Sequence, residues 1–376
     1  AHGGGAVMVT GSHIPADRNG LKFYTSAGEI TKADETAILS SVTTIPIEAK
    51  GALAALDGDK QAGARFIARY VAAFGPTALR GQRIGLYAHS AVGRDILAQI
   101  LSNLGAVVID VGRSDVFIPV DTEAVDQATR AQIREWVKTH KLDALVSTDG
   151  DSDRPLLADE AGTIVPGDIM GQITADALGA GVVVTPISSN SGVTLKGLEA
   201  VIRTRIGSPF VIAGMEATSG AVVGYEANGG FLLGFEARGP AGPIAPLMTR
   251  DCTLPLLAVL YAARDSSVAA RVAKEPSVVT QSDRLQEVPQ EKSQLLITRL
   301  LEDAAARTTF LASLGKTEMA LDLTDGLRMI LNDGAVVHIR PSGNAPELRA
   351  YVETQDLSSA KKLLNNVLTR LQSLLV

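Results

Sequence analysis

Residues 84–111 read IGLYAHSAVGRDILAQILSNLGAVVIDV, and this stretch decides the fold class. Its ends, 84–87 and 107–111, are short apolar runs of the kind that form buried strands. Between them, 94–104 carries apolar residues at helical spacing and is stopped by Gly105. Strand, helix and strand in this order make a βαβ unit, with helices packed on a buried, parallel sheet. The alternation continues outward. A strand over 6–9 leads into a polar loop through Asn19-Gly20, and a helix over 60–74 (Phe66, Ile67, Tyr70, Val71, Phe74) ends at Gly75-Pro76. A helix over 122–140 and a strand over 144–146 follow. Helix 168–178, strand 182–187 and helix 193–202 repeat the grammar, so a unit of about one hundred residues recurs in pattern. A hairpin pairs 221–225 with 231–234, and a helix covers 249–263. The last hundred residues differ: a long helix over 290–314, a hairpin of 327–331 and 335–340 across Asn332-Asp333-Gly334, a strand over 348–353 and a helix over 358–375. That part is α+β. Boundaries near Gly75, Thr163 and Ser267 predict four units, 1–75, 76–163, 164–267 and 268–376.

Composition removes several functions. The 376 residues are 46% apolar and 20% charged, which is a globular balance rather than a disordered one. Aromatic residues make up only 4%, too few for a base-stacking surface. A net charge of −6, from 41 acids and 35 bases, disfavours nucleic acid as a partner without excluding a local basic pocket. The single cysteine, Cys252, rules out an internal disulfide and a Cys-rich zinc site. The start, Ala1-His2-Gly3-Gly4-Gly5, lacks the parts of a signal peptide, and no apolar run is long enough to span a bilayer. A reduced, cytoplasmic setting without a membrane partner is therefore expected. Nothing in the apolar pattern marks an obligate interface, so a monomer or a homodimer is expected.

Four loops carry chemistry. The first is Thr10-Gly11-Ser12-His13-Ile14-Pro15, running on to Asn19-Gly20-Leu21-Lys22. Glycine lets backbone N–H groups approach an anion, and Ser12 offers a nucleophilic or phosphorylatable oxygen. The second is Thr148-Asp149-Gly150-Asp151-Ser152-Asp153-Arg154. Carboxylates at alternate positions repel one another unless a cation sits among them, and oxygen ligands suit Mg²⁺ or Ca²⁺. An EF-hand is excluded, because Arg154 stands where its glycine is required and a strand precedes the loop. Arg154 beside the acids points to a phosphate neighbour. The third, Gly224-Tyr225-Glu226-Ala227-Asn228-Gly229-Gly230, puts a carboxylate and an amide on a hairpin tip, suited to sugar hydroxyls. The fourth, Arg340-Pro341-Ser342-Gly343-Asn344-Ala345-Pro346-Glu347-Leu348-Arg349, has the parts of a phosphate cradle. Alone, each loop also reads as a plain turn.

Their order and spacing together resemble the α-D-phosphohexomutase superfamily, in particular its phosphomannomutase/phosphoglucomutase branch. The resemblance spans Val7 to Glu353. It implies an α/β fold of three phosphohexomutase-type units plus a C-terminal α+β unit around a central cleft, each contributing one loop. It implies Ser12 as a phosphoserine, Lys22 as the general acid/base and His13 as a helper or loop-orienting residue. It implies Mg²⁺ on Asp149, Asp151, Asp153 and a Ser12 phosphate oxygen, and Arg154, Arg205, Glu226, Asn228, Arg340, Ser342, Gly343, Asn344 and Arg349 around a hexose phosphate. The implied reaction moves phosphate between the 6- and 1-positions of a hexose, through a hexose 1,6-bisphosphate that also serves as activator. A proton-accepting Lys22 asks for a pKa below its ordinary value of about 10.4.

There are departures. Ile14 stands where the family has Asn, Asn228 and Gly230 where it has Ser and His, and Asn344 where it often has Thr. The match at Arg205 is looser. Mannose is the first expectation for the sugar, with glucose and glucosamine as alternatives; a sugar-phosphate phosphatase or a non-catalytic phosphosugar-binding protein are the rival classes. The family's serine loop lies behind a strand and a helix with no counterpart before Ala1, so an amino-terminal stretch bearing another basic contact is expected to precede it.

Overall fold

The computed structural model describes residues 4–12, 17, 19–26, 28–41, 59, 61–342 and 346–375. Two of its sheets are built on one plan. In the second unit the strand order is Val107–Val111, Arg83–Tyr87, Ala144–Thr148, Pro155–Ala158 and Ile164–Val165. In the third it is Ala200–Thr204, Val182–Pro186, Val222–Tyr225, Phe231–Leu233 and Leu247–Asp251. Each begins with three parallel strands and ends with antiparallel ones. The recurring pattern is thus a recurring topology, with a mixed rather than wholly parallel sheet. The fourth unit is a five-stranded antiparallel sheet, Val279–Leu285, Leu348–Thr354, Val336–Pro341, Leu327–Leu331 and Glu318–Asp322. At the amino-terminal end Ala6–Thr10, Gly20–Thr25 and Gly28–Glu29 make a three-stranded sheet.

All four chemical loops fall at tips of antiparallel hairpins. The last paired residues before each tip are Thr10 with Gly20, Thr148 with Pro155, Tyr225 with Phe231, and Pro341 with Leu348. At a hairpin tip the ladder ends, so backbone groups there find other partners and the side chains stand at the end of a rigid strand pair.

The second and third units share one core. Helix Thr253–Ala263 is apolar on every side and lies between them, with Leu254, Leu256, Leu257, Val259 and Leu260 all buried. Burying each such side chain contributes about 1.5–3 kcal/mol. Helix Ala62–Phe74, which the boundary near residue 75 assigns to the first unit, puts Tyr70, Ala73 and Phe74 into that same core with Ile84, Leu97 and Ile100. The fourth unit has a separate core around Leu300, Phe310, Met329, Val337, Val352 and Val367.

Several expected elements are corrected, and most corrections trace to an aspartate. The helix expected over 122–140 begins at Gln127, because Asp126 caps it by accepting the Thr129 N–H at 2.9 Å. The helix expected over 249–263 is a strand, Leu247–Asp251, then the helix Thr253–Ala263; the Asp251 carboxylate accepts the Thr253 and Leu254 N–H groups at the turn. The helix expected over 290–314 breaks at Asp303 into Gln290–Glu302 and Ala304–Ala312, with Asp303 capping the second. Residues 193–202 are not a helix. Ser191–Leu195 is a short 3₁₀ turn, and Ala200–Thr204, with adjacent β-branched Val201 and Ile202, pairs parallel with Val182–Pro186.

Asp251 also ties the units together, since the buried Tyr70 hydroxyl donates to its carboxylate at 2.5 Å. Tyr70→Phe leaves that carboxylate oxygen without its donor. It is expected to lower stability by about 1–3 kcal/mol, read as a lower urea midpoint at unchanged slope.

Candidate active site

The site forms where the serine hairpin meets the metal-loop hairpin. Ser12 sits at φ 46, in the left-handed region. Its N–H donates to Thr10 Oγ1 at 2.9 Å, and that hydroxyl donates to Asp151 Oδ2 at 2.9 Å. Its Oγ donates to Asp149 Oδ2 at 2.7 Å, across 137 residues of sequence. The Gly150 N–H donates to the Ser12 carbonyl at 3.2 Å, and a Cβ on Gly150 would stand 2.4 Å from that oxygen. Only glycine permits this approach.

The metal loop wraps around Asp149, which is fully buried. Asp149 Oδ1 accepts the N–H groups of Asp153 and Arg154, both at 3.1 Å. A second segment braces the loop from behind. The Val92 N–H donates to the Gly150 carbonyl at 3.0 Å, the Gly93 N–H to Ser152 Oγ at 2.9 Å, and His89 Nε2 lies 2.9 Å from the Thr148 carbonyl. Burial lowers the pKa of His89, which keeps the ring neutral and able to donate there.

Asp149, Asp151 and Asp153 offer carboxylate oxygens that all lie within 4.8 Å of one another. Burial, with Asp153 and Asp151 close by, pushes the Asp149 carboxyl up to about 7. Burial works the same way on Asp151, but hydrogen bonds and charge, Lys22 foremost, hold it down to about 2. Lys22 Nζ reaches both Asp151 Oδ2 and Asp153 Oδ2 at 2.7 Å. This corrects the expectation of a lowered lysine pKa. Burial does lower it, but Asp153 and Asp151 more than offset that and raise Lys22 above its ordinary value. The donor set fits a hard divalent cation. It is all carboxylate, and Asp151 Oδ1 and Asp153 Oδ1 are buried without a hydrogen-bond partner among the described residues.

The sugar-loop hairpin docks beside it. Glu226 is buried, and Thr122 Oγ1 donates to the Asn228 carbonyl at 3.2 Å. Asn228 Oδ1 accepts the Gly230 N–H at 3.0 Å, so this oxygen braces its own loop. On the fourth unit, Arg284, Arg349 and Arg340 stand opposite one another on three adjacent strands. Like charges directly opposite are destabilising. Glu347 offsets part of this charge, 3.1 Å from Arg349 and 3.3 Å from Arg284. Ser342, beside the row, is buried. Asp325 lies 3.7 Å from Arg340, and a row of three guanidiniums facing two carboxylates suits a phosphate dianion.

Comparison with known proteins matches this arrangement. The models of phosphoglucomutase/phosphomannomutase α/β/α domains I, II and III cover residues 1–48, 65–162 and 166–278, and that of the C-terminal domain covers 277–370. A phosphomannomutase of Sinorhizobium fredii is 44% identical, over 100% of this chain and 81% of its own length. One from Salmonella muenchen is 42% identical, over 98% and 77%. The chain belongs to the phosphoglucomutase/phosphomannomutase family. The fold agrees with solved structures of much lower identity. A phosphoglucomutase/phosphomannomutase family protein of Burkholderia thailandensis aligns with a TM-score of 0.74 at 17% identity, covering 98% of this chain and 76% of the other. An Aspergillus fumigatus N-acetylphosphoglucosamine mutase, solved with GlcNAc-6P and magnesium, aligns at 0.61 and 15%, covering 100% and 90%.

Of the residues singled out by sequence, Ser12, Lys22, Asp149, Asp151, Asp153 and Arg154 lie together, with Glu226 joined to them through Arg250. Arg340, Ser342 and Arg349 line the fourth unit. Arg205 is exposed, its guanidinium 5.9 Å from the Phe210 ring centroid. His13, Gly343 and Asn344 lie outside the described residues.

Arg250 was not legible as a site residue. It lies in the edge strand Leu247–Asp251, carries no motif and reaches between two loops, its side chain only 10% exposed. Its NH2 is 2.7 Å from Asp153 and its NH1 is 3.7 Å from Glu226. Despite burial, Asp153 and Glu226 hold its pKa above the ordinary arginine value. Gly150→Ala is expected to leave the chain folded by circular dichroism while displacing Ser12, with a kcat about 10²-fold lower, as a misplacement of about 1 Å can produce.

Proposed function

We propose that the chain is a phosphomannomutase that carries its transferable phosphate on Ser12. The observation that carries this reading is Ser12 Oγ, held 2.7 Å from Asp149 within a cluster of three carboxylates and one lysine. Likeness along the whole chain to two curated phosphomannomutases supports mannose as the sugar. Phosphoryl transfer asks little covalent work of the protein; it asks for alignment and charge neutralisation. Asp149, Asp151, Asp153 and an oxygen of phosphoserine would hold Mg²⁺, which when bound supplies positive charge against the phosphate.

The chain's own groups do the rest. Thr10 and Gly150 fix the serine backbone from two sides. Arg340, Ser342 and Arg349, with Gly343 and Asn344 of the same loop, hold the substrate's distal phosphate and so set which hydroxyl faces Ser12. Glu226 accepts from the sugar hydroxyls, and the Asn228 amide group donates to them. Arg154, near Asp149 and Asp153, and Arg205 add charge around the substrate. Lys22 carries its proton beside Asp151, where it can pass that proton to a leaving oxygen and recover it from an attacking hydroxyl; His13 orients the loop. In the first step the substrate hydroxyl oxygen bonds to phosphorus as the Ser12 Oγ–P bond breaks. The resulting hexose 1,6-bisphosphate turns over in the cleft, and its other phosphate returns to Ser12. The same bisphosphate, added free, re-phosphorylates Ser12 and acts as activator. The four-unit division at 1–75, 76–163, 164–267 and 268–376 assigns one loop to each unit.

Ser12→Ala is expected to abolish turnover while retaining binding of mannose 6-phosphate by calorimetry; full activity in that variant would remove Ser12 from the mechanism. Chelation of divalent cations is expected to stop turnover and added Mg²⁺ to restore it. In a coupled assay with mannose 1-phosphate, glucose 1-phosphate and glucosamine 1-phosphate, mannose is expected to give the highest kcat/KM. Inorganic phosphate released without isomerised product would instead identify a phosphatase.

A further inference from the structure

Asp325 belongs to none of the four loops, yet it touches two units at once. Its Oδ2 accepts the Ile206 N–H of the third unit at 3.1 Å. The same oxygen lies 3.7 Å from Arg340 Nε of its own unit. That Nε is buried and has no hydrogen-bond partner among the described residues. The guanidinium is therefore held at that edge by charge alone, without a hydrogen bond from Nε.

The backbone beneath Asp325 is fixed. His338, buried, places Nε2 2.6 Å from the Asp325 carbonyl. The next residue, Gly326, has φ 77, and a Cβ there would stand 2.5 Å from the Ile339 carbonyl and 2.7 Å from Arg340 Cβ. The turn thus rests directly on the strand that carries Arg340, and only glycine allows it. The partner side is fixed as well. Just past Ile206, Ser208 Oγ donates to Glu29 Oε2 at 3.3 Å, and Thr249 Oγ1 donates to Glu29 Oε1 at 2.9 Å. The loop that Asp325 grips is itself gripped by the amino-terminal sheet.

We propose that Asp325 is a positioning residue for the phosphate subsite: one carboxylate oxygen orients Arg340 and docks the fourth unit onto the Ile206 amide, so the phosphate cradle is complete only when the two units meet. The proposal rests on reading the 340–349 loop as that cradle. The fourth unit has its own core, and the contacts named here that join its sheet to the third unit are polar. A substrate phosphate that pulls on Arg340 pulls through Asp325 on the third unit, and closure and binding become one event.

The test uses the whole chain in three forms: wild type, Asp325→Asn and Asp325→Ala. Asn keeps an oxygen acceptor for the Ile206 N–H and loses the charge beside Arg340; Ala loses both. With mannose 1-phosphate, Asp325→Asn is expected to raise KM about three- to tenfold, with kcat within about twofold. Asp325→Ala is expected to raise KM at least as far, and also to release free hexose 1,6-bisphosphate into solution during turnover. Unfolding midpoints of all three are measured alongside, and Asp325→Asn serves as the informative variant if Ala fails to fold. An unchanged KM in Asp325→Asn overturns the proposal, as does a fall in kcat alone. If the wild type shows no mutase activity, the functional reading fails instead. Calorimetric binding of mannose 6-phosphate then decides the positioning role: weaker binding by Asp325→Asn supports it, and equal binding overturns it.

Discussion

Three carboxylates within 4.8 Å of one another are the constraint around which this molecule is arranged. They repel, and all but neutralised charge is costly to bury. The chain answers with two cations drawn from distant sequence, Lys22 on two of them and Arg250 on Asp153, and with Arg154 of the same loop near Asp149 and Asp153. Lys22 ties the amino-terminal hairpin to the metal loop, and Arg250 ties the metal loop to Glu226 of the sugar loop. Removing one partner would leave a buried charge uncompensated, which is why these contacts specify geometry as much as they stabilise it.

The hairpin is the device that makes such a site possible. A hairpin tip delivers a short, polar, glycine-bearing loop on a rigid strand pair. Four of them give four separately adjustable walls. Two tips meet closely enough that Gly150 touches the backbone of Ser12, and this contact sets the serine. The fourth wall hangs on a unit with its own core and is joined by polar contacts such as Asn190 with Val278 and Ser191 with Glu353. That division suits a reaction in which an intermediate has to turn over while it stays shielded from water.

Much of this was legible in the sequence, for particular reasons. Alternating apolar strands and amphipathic helices around 84–111 gave the α/β class, since periodicity is a local property. The Asp149-Gly150-Asp151-Ser152-Asp153 run was legible because its chemistry repeats at adjacent positions. Helix ends were misplaced where an aspartate at 126, 251 or 303 turned the chain, because a cap depends on one side chain rather than on a period. Arg250, His89 and Asp325 were missed for a different reason. Each acts on a group 24 to 119 residues away in sequence, and no local pattern distinguishes an arginine that bridges two loops from one on an ordinary edge strand. The lysine pKa was misread because sequence shows its burial no better than its partners; two aspartates at 2.7 Å outweigh the loss of water.

The central claim is that Ser12 is the residue that carries phosphate between substrate and product. It is tested most directly by incubating the chain with mannose 1,6-bisphosphate and Mg²⁺, then locating the covalent phosphate by tandem mass spectrometry. The account predicts a single phosphate on the peptide containing Ser12, lost again when mannose 6-phosphate is added in excess. A phosphate found only on another residue, or none at all on a chain that still interconverts the sugar phosphates, would contradict it.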